Sequence, residues 1–66
     1  MKNYKNKKCW QAIGFTQIKK GIAIDQKLES TGWLMIYVKW DDKSYSWEKI
    51  VNLSFDMKQI GEIYEN

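Results

Sequence analysis

The chain has 66 residues and a formal net charge of +3, and 15% of its residues are aromatic. A chain of this length forms one domain at most, and it buries only about 60% of the surface that its unfolded form exposes. It contains no histidine, which removes the commonest general base and metal ligand. Its single cysteine, Cys9, excludes an internal disulfide and a cysteine-rich zinc site. We therefore expect no enzymatic activity and no cofactor, in a protein of the reducing cytoplasm or, in a eukaryote, of the nucleus.

Charge is distributed unevenly along the chain. The first eight residues, MKNYKNKK, hold four lysines and no acid, whereas the terminal stretch DMKQIGEIYEN holds three acids and one lysine. We predict that residues 1–8 form a basic, flexible segment and that residues 9–66 form a single domain. No apolar run reaches the roughly 18 residues that a membrane helix requires, so no membrane partner is expected.

The first half of the chain predicts two strands. Residues 10–18, WQAIGFTQI, are rich in β-forming side chains, and the following KKG indicates a turn in which Gly21 takes a positive φ. Residues 22–28, IAIDQKL, form the second predicted strand. The sequence ESTG then breaks this strand at Gly32.

The second half predicts a hairpin followed by a helix. Residues 33–40, WLMIYVKW, are apolar at nearly every position, which favours a central strand covered on both faces. The sequence DDKS at 41–44 predicts a short loop, and YSWEKIVNL at 45–53 predicts the returning strand. Asp56 is suited to cap a helix, and the apolar stripe that follows it predicts a helix over 56–64.

A loop of four residues fixes the register predicted for this hairpin. It places Trp40 opposite Tyr45 and Val38 opposite Trp47. Because side chains alternate between the two faces of a sheet, Trp47 then lies with Val38 on the core face. Trp40 and Tyr45 lie at the rim of that face, where rings either close the core or form the walls of a binding site.

The stretch VKWDDKSYSWEKIVNL resembles the central part of chromodomains, in which a strand ending in V-K-W precedes a short loop, T-W-E and then N-L. The matching residues are Val38, Lys39, Trp40, Ser46 (in place of Thr), Trp47, Glu48, Asn52 and Leu53. A looser form of the pattern occurs in Tudor and other SH3-like barrels. The resemblance implies a mainly β fold, a small SH3-like or chromodomain-like antiparallel barrel of four or five strands with a C-terminal helix.

Chromodomains hold a methylated lysine in a cage of three aromatic rings by cation–π attraction. In this sequence the resemblance assigns the cage tryptophan to Trp40, whereas the second ring falls on Lys43, which would repel a cationic ligand. Tyr45 is the ring available to replace it, and Trp10 is the candidate from the first strand. The resemblance therefore implies a methyl-lysine reader as one alternative, and rings that mainly close the core as another.

Two further binding functions use the same rings. In a protein-interaction module, Trp10, Trp40 and Tyr45 would contact a protein or peptide partner. In a nucleic-acid binder they would stack on bases while lysines contact phosphates. The lysines available for this are Lys2, Lys5, Lys7, Lys8, Lys19, Lys20 and Lys43. The absence of arginine and the interleaved acids favour the protein partner. We expect the chain to be a free-standing domain that acts as a small accessory or inhibitor protein, such as one of viral or phage origin.

Overall fold

The computed structural model describes residues 2–55, which form one four-stranded antiparallel sheet in the order β1–β2–β3–β4. The strands are β1 (Lys8–Ile13), β2 (Gln17–Leu28), β3 (Leu34–Trp40) and β4 (Tyr45–Lys49). A short 3-10 turn at Ile50–Asn52 follows β4. The prediction of a mainly β fold with antiparallel strands is confirmed. Branched and aromatic side chains dominate β3, in keeping with their preference for a pleated, half-buried surface.

The first hairpin turns earlier in the chain than the sequence predicts. β1 ends at Ile13, and the turn occupies residues 14–16, where Gly14 has a φ of 69°. The turn predicted at residues 19–21 is wrong, because these residues lie inside β2. Gly21 serves a close approach instead: a Cβ atom at this position would lie 2.5 Å from the backbone oxygen of Lys39. The missing side chain is what allows β3 to lie beside β2 here.

A register shift and a tight turn shape the β2–β3 pair. The pairing of the two strands shifts between Ala23 and Asp25, and such a bulge increases the local twist. The chain then turns at residues 29–32, where the N–H of Gly32 donates to the oxygen of Glu29 at 2.9 Å. Gly32 has a φ of 92°, a conformation that glycine adopts at no steric cost. The break predicted at ESTG is confirmed.

The β3–β4 hairpin has a three-residue loop rather than the predicted loop of four. The N–H of Trp40 donates to the oxygen of Ser44, and the N–H of Lys43 donates to the oxygen of Trp40. Lys43 has a φ of 71°, as expected for the bulge residue that ends such a loop. As a result Lys39, and not Trp40, lies opposite Tyr45. The predicted register is wrong by one residue, which turns every side chain of β4 to the opposite face.

The core lies on the concave side of the sheet. Its fully buried side chains are Cys9, Ala23, Ile36, Val38 and Trp40. Partly buried apolar residues surround them: Tyr4, Leu34, Ile50, Leu53 and Phe55. Residues from both ends of the described chain therefore complete the core.

The sheet curls until the segment after β4 meets β1. Trp10 and Ser54 form an antiparallel bridge in which each N–H donates to the other residue's oxygen at 2.8 Å. The N–H of Asn6 donates to the oxygen of Ala23 at 2.7 Å, which ties the N-terminal segment to β2. These contacts do not close the sheet into a barrel, so the predicted barrel is not confirmed.

The helix predicted over 56–64 lies outside the described residues. From residue 2 to residue 55, the 3-10 turn is the only helical element. No helix in that range has the length and apolar character needed to cross a membrane. The division of the chain at residue 8 stays a prediction.

Candidate binding surface

Three aromatic rings lie together on the outer face of β3 and β4, the face turned away from the core. Tyr37 is opposite Trp47 in the sheet, and their ring centroids are 4.8 Å apart. Tyr45 also stacks on Tyr37, with centroids 5.7 Å apart and planes at 22°. Tyr45 is 50% exposed and Trp47 is 37% exposed. We call Tyr37, Tyr45 and Trp47 the aromatic surface.

Lysines frame the aromatic surface. The Nζ atom of Lys27 lies 4.5 Å from the ring centroid of Trp47, and that of Lys49 lies 4.7 Å from the ring of Trp33. Lys39 is the cross-strand partner of Tyr45 and is exposed. Among the described residues, no carboxylate lies within ion-pair distance of Lys27, Lys39 or Lys49. The surroundings of the rings therefore carry positive charge that the described part of the chain does not neutralise.

The inner face of the same hairpin carries polar groups that bond to one another. The indole Nε1 of Trp40 donates to Ser46 Oγ at 2.8 Å, and Ser46 Oγ donates to a carboxylate oxygen of Glu48 at 2.7 Å. Gln11 Nε2 donates to the other Glu48 oxygen at 3.1 Å. This chain links β1, β3 and β4 through side chains alone. Because each partly buried polar group has a partner, Ser46 and Glu48 can face the core without the cost of an unmade hydrogen bond.

The predicted site residues are not gathered in one place. Trp40 is 1% exposed, so its ring belongs to the core and has almost no surface with which to contact a partner. The Nζ atom of Lys19 lies 4.6 Å from the Trp40 ring centroid and covers it. Tyr45 lies on the opposite face, and Lys43 occupies the exposed loop between them. The rim predicted from Trp40 and Tyr45 therefore does not form.

Trp10 and Lys20 do lie side by side. They are cross-strand partners in β1 and β2, and both line a shallow cavity of about 300 Å³. Lys8, Gly21, Ile22 and Asp41 complete its lining. Within the cavity, the Nζ atom of Lys20 lies 3.8 Å from a carboxylate oxygen of Asp41. This ion pair occupies the cavity's polar side, which leaves Trp10 and Ile22 as its apolar contacts.

Apolar side chains also project from the outer face of β2 and from the first turn. Ile18, Ile22 and Ile24 are exposed on β2. Phe15, in the turn between β1 and β2, is 94% exposed. The outer side of the described sheet therefore combines aliphatic and aromatic contact area, with the aromatic surface at its β3–β4 end.

Titratable groups with altered pKa values do not form a reactive site. Burial raises the pKa of the Cys9 thiol to about 11, so the thiol stays protonated and unreactive at neutral pH. Hydrogen bonds from the side chain and backbone of Ser44 lower the pKa of Asp42 in the loop. Among residues 2–55 there is no cluster of acids, cysteine or histidine that could hold a metal ion.

The sequence predicts neither Tyr37 nor Trp47 as a site residue, and the predicted register places Trp47 on the core face. In β4 the aromatic residues alternate with Ser46 and Glu48, so either set could face the core. The loop decides between them, and its decisive feature is the positive φ of Lys43. A glycine or asparagine at this position would have signalled a three-residue loop, whereas a lysine does not.

Comparison with known proteins gives no relative from which to assign a function: no protein-family model, no curated protein and no solved structure matches this chain. The chromodomain resemblance therefore depends on the residues of the hairpin alone.

Proposed function

We propose that this protein is a small, non-enzymatic binding module that contacts a protein partner through the aromatic surface. The observation that carries the proposal is the orientation of β4. Tyr45 and Trp47 project outward onto Tyr37, while Ser46 and Glu48 project toward the core. A chain with so small a core loses buried apolar area by this arrangement, and a partner that covers the rings would recover it.

The composition of the outer face favours a protein over other partners. Tryptophan and tyrosine are the residues that most often dominate the binding energy of protein interfaces. The exposed isoleucines of β2, at positions 18, 22 and 24, extend the apolar area beyond the rings. Aliphatic side chains have no stacking or phosphate contact to make with nucleic acid, but they pack well against a protein. An accessory or inhibitor-type role in the cytoplasm fits such a surface.

A nucleic-acid partner is the second candidate, and one observation supports it. The outer-face positions of the four strands carry five lysines, Lys8, Lys20, Lys27, Lys39 and Lys49. A single strand of nucleic acid could place phosphates on these lysines and bases on the aromatic surface. Lys20 is paired with Asp41, which reduces its availability to phosphates.

A methyl-lysine cage receives no support from the geometry. Trp40, to which the resemblance assigns the cage tryptophan, is buried, and Lys27 already lies over the ring of Trp47. A second cation at the aromatic surface would be repelled by the lysines around it. The finer fold proposal, an SH3-like barrel, is supported by the strand order and by the return of the chain from the 3-10 turn to β1.

The test of the proposal separates binding from folding. We would identify partners by cross-linking and capture from the source cell, and measure their affinity for the wild type, Tyr45→Ala, Trp47→Ala and Phe15→Ala. Phe15 is the matched control, because it is an exposed ring in the turn between β1 and β2, outside the aromatic surface. We expect each β4 variant to lose about 2 kcal/mol or more of binding energy, and Phe15→Ala to lose under about 0.5 kcal/mol.

Two results would contradict the proposal. Equal losses in all three variants would mean that the rings act through general hydrophobicity and not as a defined surface. Binding of random single-stranded DNA or RNA in a gel shift that salt abolishes, with no protein partner captured, would favour the nucleic-acid function instead.

A further inference from the structure

The two edges of the described sheet differ. At the β1 edge, the backbone N–H and oxygen of Trp10 are both bonded to Ser54. At the β4 edge, no backbone bond from another described segment is found. An unpaired edge is a ready template for another strand, and proteins usually protect it by covering, bending or charging it.

The hydrogen-bond pattern shows which groups face outward at the β4 edge. The bond from the Trp40 N–H to the Ser44 oxygen makes this a hydrogen-bonded pair, so bonded pairs recur at every second residue along β4. Ser46, opposite Val38, and Glu48, opposite Ile36, are therefore bonded to β3. The N–H and oxygen groups of Tyr45, Trp47 and Lys49 lie between these pairs and point to the open edge.

The outward backbone groups belong to the same residues as the aromatic surface. A strand added beside β4 would place every second side chain next to Tyr45, Trp47 and Lys49 on the outer face. These positions are apolar beside the two rings and basic beside Lys49, and Lys39 lies one strand further in, next to Tyr45. The two acids on the outer face are already engaged, because Asp25 pairs with Lys5 at 3.5 Å and Asp41 pairs with Lys20 at 3.8 Å.

We infer that β4 accepts an extended, acidic segment of a protein partner as an added strand. The inference deepens the proposed function and rests on it, since it names the chemistry and the binding mode of the partner. Main-chain bonds to Tyr45, Trp47 and Lys49 supply affinity, apolar side chains of the segment cover the two rings, and its carboxylates neutralise Lys39 and Lys49. Charge argues against a second copy of this chain as the occupant, because pairing two such edges would bring their lysines together.

The probe is the peptide acetyl-Glu-Ser-Val-Ser-Val-Ser-Glu-amide, titrated into the 15N-labelled chain. Its valines and glutamates share one face when extended, so they can cover the rings and reach the lysines together. We expect the amide signals of Tyr45, Trp47 and Lys49 to shift the most. A matched peptide with lysine in place of both glutamates should bind about tenfold or more weakly at low salt, because like charges then meet.

N-methylation of the peptide tests strand addition directly. In a strand added antiparallel to β4, which is the orientation we infer, the N–H groups of the valines point to β4 and those of the neighbouring serines point away. Methylating the nitrogen of one valine should weaken binding about tenfold or more, whereas methylating the central serine should change it less than about threefold. Equal tolerance of both changes would overturn the inference.

The outcomes distinguish this inference from the proposed function. If both methylated peptides bind equally but Tyr45→Ala and Trp47→Ala weaken them, the aromatic surface binds partners without strand addition, and only the inference fails. Absence of binding by the peptide at millimolar concentration overturns the inference. Self-association of the chain in sedimentation velocity, abolished by Trp47→Pro but not by Phe15→Pro, would assign the edge to a second copy and also overturn it. Peptide binding that appears only after removal of residues 56–66 would show that the chain's own acidic terminus occupies the edge, with the same consequence.

Discussion

The two faces of the β3–β4 hairpin use similar residues for opposite purposes. On the inner face the buried ring of Trp40 packs with Val38, and its N–H begins a chain of hydrogen bonds through Ser46 to Glu48. On the outer face Tyr37 stacks on Tyr45 and contacts Trp47 at a tilt, without such bonds, and the three rings remain partly exposed. The role of each ring therefore follows from the face on which it lies and not from its hydrophobicity.

The largest expected effect is the loss of the inner ring. Trp40→Ala should destabilise the domain by about 3–5 kcal/mol, because it leaves a cavity and removes the donor to Ser46. Denaturant unfolding followed by circular dichroism measures the change. Trp33→Ala is the matched control, since Trp33 lies exposed against Lys49 and should cost under about 1.5 kcal/mol. Equal losses of unfolding free energy in the two variants would contradict the different roles of the inner and outer faces.

Removal of the outer ring of Trp47 should weaken partner binding more than it weakens folding. The sequence-based register predicts that Trp47→Ala costs about 3–5 kcal/mol, the loss of a core ring. With Trp47 on the outer face, we expect a cost of under about 1.5 kcal/mol in unfolding free energy, while partner binding falls by about 2 kcal/mol or more. Thermal unfolding and a binding titration on the same sample provide both numbers. A Trp47→Ala chain that is unfolded at 25 °C would contradict the assignment of this ring.

Removal of the inner hydroxyl should have an intermediate effect. Ser46→Ala deletes the acceptor of the Trp40 N–H and one donor to Glu48, so we expect a loss of about 1–2 kcal/mol in stability. Chemical denaturation measures it, with Ser44→Ala in the exposed loop as the comparison. If Ser46→Ala is neutral, the polar chain does not hold the inner face together.

The smallest effect concerns the loop that sets the register. Hydrogen bonds from Ser44 lower the pKa of Asp42 in the folded state. The carboxylate therefore stabilises the fold above its ordinary pKa of about 3.9, and this contribution is lost as the pH falls through the lower, folded-state value. Asp42→Asn should flatten the fall in stability between neutral pH and the acid range, as measured by melting at a series of pH values. An unchanged dependence of the melting temperature on pH would show that the Asp42 carboxylate does not stabilise the loop.

Much of the hairpin could be predicted from the sequence, but its register could not. The apolar run before Trp40, the polar DDKS and the return at Tyr45 are strong local signals, and each strand lies close to where they place it. The one-residue difference in register depends on Lys43, which adopts a positive φ that a lysine does not predict. The same is true of Gly21, whose role is to let two strands approach and not to turn the chain.

The candidate site could not be predicted from the sequence because its residues depend on this register. A slip of one residue exchanges the faces of β4, so the predicted register places Trp47 on the core face, whereas in the fold it lies on the outer face. Trp40 lies on the core face in either register, but its ring is buried and does not form a rim. Tyr45 remained a surface ring in either register, because it lies next to the loop. Tyr37 lies on the face opposite the core in either register, and only the observed pairing brings Trp47 beside it.

The register of the β3–β4 hairpin decides which aromatic rings face outward, and one NMR measurement tests it. In the register described here, Tyr37 and Trp47 form a non-hydrogen-bonded pair, whose α-protons lie closest together in an antiparallel sheet. We predict strong nuclear Overhauser contacts between the α-protons of Tyr37 and Trp47, and between those of Lys39 and Tyr45. Cross-strand contacts that pair Trp47 with Val38, and Tyr45 with Trp40, would contradict the register and return the aromatic rings to the core.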